Sequence, residues 1–193
     1  MVVPRSRPVA LLLAVLAVVT VRPAAAAADV PDRVEIVGDS LTRAAQDLLP
    51  ADWRVRARNG RALFESMETI ALARASSPEC LVIALGSNDV GQHRSRLQML
   101  HDLDQVDEIL AGVDCVAWTT VKVRGVSPFY GRNWAQYART WNALVRERVE
   151  GTVLDWNAVA RTHPGWFLGD GLHMSGAGRA AYAHFLQRGI APA

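Results

Sequence analysis

Ser40 stands in Val37-Gly38-Asp39-Ser40-Leu41-Thr42, Asn88 in Gly86-Ser87-Asn88-Asp89, and Asp170 and His173 in Asp170-Gly171-Leu172-His173. Together these residue types supply the parts of acyl transfer: a hydroxyl nucleophile, a base, a carboxylate to orient the base, and a donor for an oxyanion. An alcohol hydroxyl is a weak nucleophile at neutral pH, so Ser40 needs a base within hydrogen-bond reach, and His173 is the candidate. A bend through Gly171 would let the Asp170 carboxylate meet Nδ1 of His173 while Nε2 faces Ser40, which fixes the tautomer a base requires. The Asn88 amide can donate to an oxyanion without changing charge. At the mouth of a helix the Ser40 N–H would point the same way.

Each string has a plainer reading. Asp39-Ser40 could simply cap a helix beginning near Leu41. Asn88-Asp89 could be an Asx-type turn ending a strand, with Asp89 accepting backbone hydrogen bonds to hold the loop. A histidine just before a helix is commonly a surface residue. A helix cap does not predict the other two strings, however, and the joint occurrence favours chemistry.

Positioning such residues falls to apolar runs that read as strands at Val34 to Val37, Trp53 to Ala57, Leu81 to Leu85, Val116 to Val121 and Thr152 to Trp156. Between them the period turns helical. Ala62 to Ala75 aligns Leu63, Met67, Ile70 and Leu72 or Ala73; Leu97 to Leu110 aligns Leu97, Leu100, Leu103, Val106 and Leu110; Trp134 to Val149 and Gly176 to Leu186 follow, the last with Ser175 as its cap. Strands alternating with such helices predict an α/β fold, a parallel sheet in a three-layer α/β/α sandwich. Ligands bind beyond the carboxyl ends of strands in such sheets, where Ser40, Gly60 and Asn88 would all lie.

These blocks resemble the SGNH (GDSL-type) hydrolase family, over nearly the whole chain after its first 28 residues. Ser40 falls on the family's nucleophile, Gly60 in Asn59-Gly60 on the second block, Asn88 on the third, and His173 with Asp170 on the last. The family's longer glycine-rich second block is reduced here to Asn59-Gly60, so Gly60 is placed by order and spacing. The resemblance implies a flavodoxin-like five-stranded sheet of order 2-1-3-4-5, catalysis by Ser40, Asp170 and His173, and an oxyanion hole from Ser40, Gly60 and Asn88. It implies no cofactor and no metal. His93, His101, His163 and His184 show no spacing with Cys, Asp or Glu that suggests a metal site.

The segment from Trp118 through Tyr130-Gly131-Arg132-Asn133-Trp134 to Trp141-Asn142 is similar to SGNH domains attached to membrane acyltransferases that O-acetylate cell-wall and surface polysaccharides. This second resemblance implies a small acyl group, acetyl above all, on a glycan hydroxyl. Three functions follow: a serine esterase acting on small-molecule or glycan esters, an O-acyltransferase to glycan hydroxyls, and a catalytically silent glycan-binding module. The last is disfavoured because every catalytic position holds a competent residue. Trp134, Tyr137 and Trp141 at helical spacing read either as a packed face or as a sugar platform. Trp166 and Phe167 read either as cleft lining or as packing over the sheet edge.

The chain opens with Arg5 and Arg7, an apolar stretch from Val9 to Val21, Arg22-Pro23 and alanines ending at Ala28, which reads as a signal peptide over residues 1–28. An uncleaved amphiphilic anchor is the alternative. Residues 29–193 then form one domain, secreted or at the cell surface, without stable membrane insertion and expected as a monomer. The full chain carries a formal charge of +2. Losing Arg5, Arg7 and Arg22 leaves 18 basic against 19 acidic residues, a charge of −1. Such a domain has no excess of basic charge for a nucleic-acid partner. Arg54, Arg56, Arg58 and Arg61 cluster, but alternate arginines on a strand read as a solvated edge.

Cys80 and Cys115 each immediately precede a strand run, the third and the fourth. If those strands are neighbours, the two residues begin adjacent strands about 5 Å apart, within disulfide range. Export would permit oxidation, so a Cys80–Cys115 disulfide is expected at the pole opposite Ser40, the alternative being two buried thiols.

Overall fold

A computed structural model describes residues 31–124 and 133–190. The expected signal peptide, residues 1–28, and the Tyr130-Gly131-Arg132 stretch lie outside the described residues.

Five strands form one parallel sheet of order β2-β1-β3-β4-β5. They are β1 (Val34–Gly38), β2 (Arg54–Ala57), β3 (Cys80–Ala84), β4 (Val116–Thr119) and β5 (Thr152–Leu154). The helices are α1 (Ser40–Ala45), α2 (Met67–Ala75), α3 (Ser87–Gly91), α4 (Arg96–Leu110), α5 (Trp134–Arg148), α6 (Trp156–Ala160) and α7 (Gly176–Gly189). Helices α1 and α7 pack together, while α4 packs against both α2 and α5. The result is the expected three-layer α/β/α architecture. β1 and β3 are buried at every position, as central parallel strands covered on both faces must be.

Register is what assembles the site. Gly38, the last residue of β1, is level with Ala57 of β2 on one side and Ala84 of β3 on the other. The three strands therefore end on one line, and the segments carrying Ser40, Gly60 and Asn88 leave the sheet side by side.

Helix faces differ in detail from the sequence pattern. The stretch 62–75 is broken into a 3₁₀ turn at Leu63–Glu65 and then α2, because Ser66 turns its hydroxyl back to the Ala62 carbonyl at 2.7 Å. On α2, Ala73 is buried and Leu72 is exposed. On α4 the inward stripe is Met99, Leu103, Val106 and Leu110, and Leu97, in the first turn, is 77% exposed. Buried Asp102 shares that inward face, held by Arg94 at 2.5 and 2.9 Å. β5 stops at Leu154 rather than Trp156, since the Asp155 carboxylate accepts the Ala158 N–H and starts α6.

Cys80 and Cys115 are joined by a disulfide at the amino-terminal ends of β3 and β4, with Cα atoms 4.6 Å apart. The next pair in the ladder is Leu81 with Val116, so the two cysteines face each other in register.

Candidate active site

Ser40 is the first residue of α1, and Asp39 is its cap: one carboxylate oxygen accepts the Leu41 N–H at 2.9 Å. One dipeptide thus both caps the helix and presents a hydroxyl, with Asp39 satisfying the helix end and Ser40 opening the helix. A Cβ on Gly38 would lie 2.4 Å from the Thr42 side chain, so glycine is what allows α1 to turn back so closely over β1.

Asp39 is fully buried, which pushes its carboxyl up to about 6 against the lowering effect of the Leu41 N–H, the Ser87 hydroxyl and nearby His173. Since Ser87 opens α3, this carboxylate links the helix that carries Ser40 to the helix that carries Asn88.

Ser40 Oγ lies 3.3 Å from Nε2 of His173, and Nδ1 of His173 lies 2.6 Å from an Asp170 carboxylate oxygen. The other Asp170 oxygen accepts the backbone N–H groups of Leu172 at 2.9 Å and His173 at 3.0 Å. Gly171, at φ +70°, makes the bend that allows a single carboxylate to hold both backbone and ring. Partial burial would raise the Asp170 pKa, but the hydrogen bonds from the His173 side chain and the two N–H groups outweigh it, so the carboxyl lies below its ordinary value. An ionised Asp170 is what Nδ1–H of a base needs opposite it.

Two cations brace this loop from the chain that continues beyond β4. Lys122 Nζ donates to the Gly171 carbonyl at 3.2 Å, and the Arg124 guanidinium donates to the Asp170 carbonyl. Lys122 also sits 3.4 Å from the centre of the Phe167 ring. Burial and the neighbouring Arg124 lower its pKa, against the opposing pull of Asp170. Sequence reading missed both residues, because nothing in Val121-Lys122-Val123-Arg124 signals that this stretch meets a loop nearly fifty residues away.

Asn88 lies in α3, the short helix that follows β3. Its Nδ2 donates to the Arg61 carbonyl at 2.9 Å. A carboxamide nitrogen has two N–H groups, so this bond fixes the amide and leaves a second donor. The next residue, Asp89, is buried and accepts the Leu63 N–H with both oxygens, at 2.9 and 3.1 Å. Burial raises its carboxyl to about 7. Asn88-Asp89 therefore pins the loop that carries Gly60 at two points, Arg61 and Leu63. Gly60 is at φ +74° with open space around its Cβ position. Behind α3, Gly86 adopts φ +114°, and a Cβ there would meet the Trp141 ring at 2.2 Å. Glycine is required at 86 on both counts.

Ser40, Gly60, Asn88 and His173 share one cavity of about 590 Å3, together with Ala44, Asn59, Ser87, Gly91, Gln92 and Leu172. Asp170 stands behind His173. The aromatic candidates lie elsewhere. Trp134 and Trp141 are fully buried in the core face of α5. Trp166 is sandwiched by Trp156 at 5.9 Å and His163 at 3.8 Å, and Phe167 packs on Trp156 at 6.4 Å. None of the four lines the cavity. The arginines are structural partners: Arg54 and Arg56 pair with buried Glu35, Arg58 pairs with Glu65, and Arg61 donates to the Arg56 carbonyl. Among the described residues no group of three or more His, Cys, Asp or Glu side chains is placed to hold a metal ion, and no helix is long and apolar enough to cross a membrane.

The chain has the fold of the SGNH (GDSL-type) hydrolases. No protein-family model matches it, and no curated protein matches it in sequence. Among solved structures it is similar to the C-terminal catalytic domain of peptidoglycan O-acetyltransferase A from Streptococcus pneumoniae, determined with a methylsulfonyl adduct. The identity there is 20%, the TM-score 0.64, and the match covers 84% of this chain and 94% of that one. A GDSL-like lipase from Bacteroides thetaiotaomicron matches at 16% identity and TM-score 0.69, over 82% and 87% of the two chains. The esterase EstA from Pseudoalteromonas, inhibited by monoethylphosphonate, matches at 15% and 0.61, over 81% and 95%.

Proposed function

We propose that the chain is an exported serine esterase that hydrolyses small acyl esters, acetyl in particular, carried on cell-wall or other polysaccharides. The observation that carries this reading is the chain of contacts from Ser40 Oγ to His173 at 3.3 Å and from His173 to Asp170 at 2.6 Å, at the edge of a cavity.

In the proposed reaction the ester carbonyl carbon is attacked by Ser40 Oγ as its proton passes to Nε2 of His173. The resulting oxyanion is met by the N–H groups of Ser40 and Gly60 and by the free amide hydrogen of Asn88. Collapse returns the proton from His173 to the leaving alcohol and leaves an acyl-Ser40. Water, deprotonated by the same imidazole, then releases the acid. Asp170 stays ionised throughout and stabilises the imidazolium.

Export is part of the reading. Residues 1–28 have the composition of a leader, residues 29–193 would be the mature domain, and the Cys80–Cys115 bridge suits an oxidising compartment. The similarity to a peptidoglycan O-acetyltransferase domain favours a second reading, in which acyl-Ser40 is resolved by a glycan hydroxyl in place of water.

The deciding experiment incubates purified residues 29–193 with p-nitrophenyl acetate, acetylated xylan and O-acetylated peptidoglycan, measuring free acetate and transferred acetyl groups. Ser40→Ala and His173→Ala should each lower ester turnover by about 10⁴-fold, and the double variant should be little worse than either. Near-normal turnover by folded Ser40→Ala overturns the assignment.

A further inference from the structure

Two side-chain amides in the cavity are without protein partners among the described residues: Asn59, just before Gly60, and Gln92, which closes α3. Three other asparagines in the fold are committed to backbone groups. Asn88 is committed to the Arg61 carbonyl, Asn142 bonds Val121 with both ends, and Asn157 accepts the Val123 N–H.

Both free amides are held at fixed spacings from the proposed oxyanion donors. Gln92 follows Asn88 by four residues, so it stands one helical turn away on the same face, with Gly91 beside it at three. Asn59 adjoins Gly60 on the loop that Asn88 and Asp89 pin. Among the described residues no Asp, Glu, Lys or Arg lines the cavity, whose wall offers amides and hydroxyls rather than fixed charges. Among the described residues its aliphatic side chains are Ala44 and Leu172. The volume falls in the range of about 300–1,000 Å3 typical of small-molecule sites.

From this we propose that Asn59 and Gln92 form a recognition subsite for the hydroxyl groups of a neutral, sugar-type alcohol, the part of the ester that leaves when Ser40 is acylated. The inference rests on the esterase reading above and adds to it the residues that choose the alcohol. An amide offers both a donor and an acceptor, as vicinal sugar hydroxyls require. Each amide is anchored next to a group that fixes the reacting carbonyl, so the sugar's orientation and the ester's orientation are set together.

The test compares wild type, Asn59→Ala, Gln92→Met and the double variant on an acetylated xylo-oligosaccharide and on p-nitrophenyl acetate, whose leaving group carries no neighbouring hydroxyls. Thermal melts establish that each variant is folded. Gln92→Met keeps chain length and removes the amide, which separates hydrogen bonding from shape. The ratio of kcat/KM on the oligosaccharide to that on p-nitrophenyl acetate should fall by roughly 3–10-fold per amide and by about 10–100-fold in the double variant. An unchanged ratio overturns the subsite. Wild-type turnover of p-nitrophenyl acetate with none of the oligosaccharide also overturns it and leaves the esterase reading standing. Absence of turnover on both esters, with Ser40 unmodified by a sulfonyl fluoride, overturns both.

Discussion

The amide of Asn88 is bonded to the main-chain carbonyl of Arg61 at 2.9 Å. The donor proposed from one segment is thereby locked to the loop that presents another, Gly60. Asn88→Ala should remove its own hydrogen bond and release that loop together. We expect kcat on p-nitrophenyl acetate to fall by about 100-fold or more with little change in KM, because an oxyanion contact matures in the transition state. Steady-state kinetics check this, and a change confined to KM would make Asn88 a substrate-binding residue.

Asp39 should make stability pH-dependent. Its folded carboxyl is raised to about 6 from 3.8, so between those values the unfolded chain has released a proton that the folded chain retains. The Asp39 contribution to stability therefore falls as pH rises through this window and levels off above it, by about 3 kcal/mol in all. Asp39→Asn, which still offers an acceptor to the Leu41 N–H, lacks this dependence. The difference in Tm between variant and wild type should move in the variant's favour from pH 4 to pH 6 and stay constant beyond pH 7.

Lys122 acts at one remove from the chemistry. Lys122→Met keeps the side chain over Phe167 but loses the bond to the Gly171 carbonyl. A loosened bend misplaces Asp170 against His173, and we expect kcat to fall by roughly tenfold with KM nearly unchanged. Lys122→Arg should recover part of the loss; equal kcat in wild type and Lys122→Met would limit the residue to packing.

Removing the disulfide should cost stability and spare chemistry, because it closes the sheet end opposite the cavity. For a bridge spanning 35 residues, the chain-entropy model gives roughly 3–4 kcal/mol. Cys80→Ser/Cys115→Ser should melt about 6–16 °C lower and retain its kcat below the new midpoint, as followed by circular dichroism and esterase assays.

Strand positions and chemistry are legible in the sequence to different depths, while the strand order comes only from the family resemblance. The apolar runs at 34–37 and 81–85 are continuous because central parallel strands are buried on both sides, and both were placed to within a residue or two. The 62–75 and 152–156 boundaries were harder. Ser66 and Asp155 interrupt the pattern through local side-chain bonds that hydrophobic periodicity does not register. Leu97 matches a helical stripe by spacing alone, yet it stands exposed in the first turn of α4. Residues that carry the proposed chemistry stood out because their types are chemically particular. Lys122 and Arg124 did not, since a cation that braces a distant carbonyl looks the same in sequence as one that faces water.

Ser40 and His173 are 133 residues apart. A chain synthesised amino end first presents its hydroxyl long before its imidazole. Until the segment carrying His173 has been made and has docked there is no Ser40–His173 contact, and Ser40 is a serine of ordinary, feeble reactivity. In the reading proposed here, acyl chemistry is thus timed by chain order: the nucleophile waits for a base contributed from the far side of the fold.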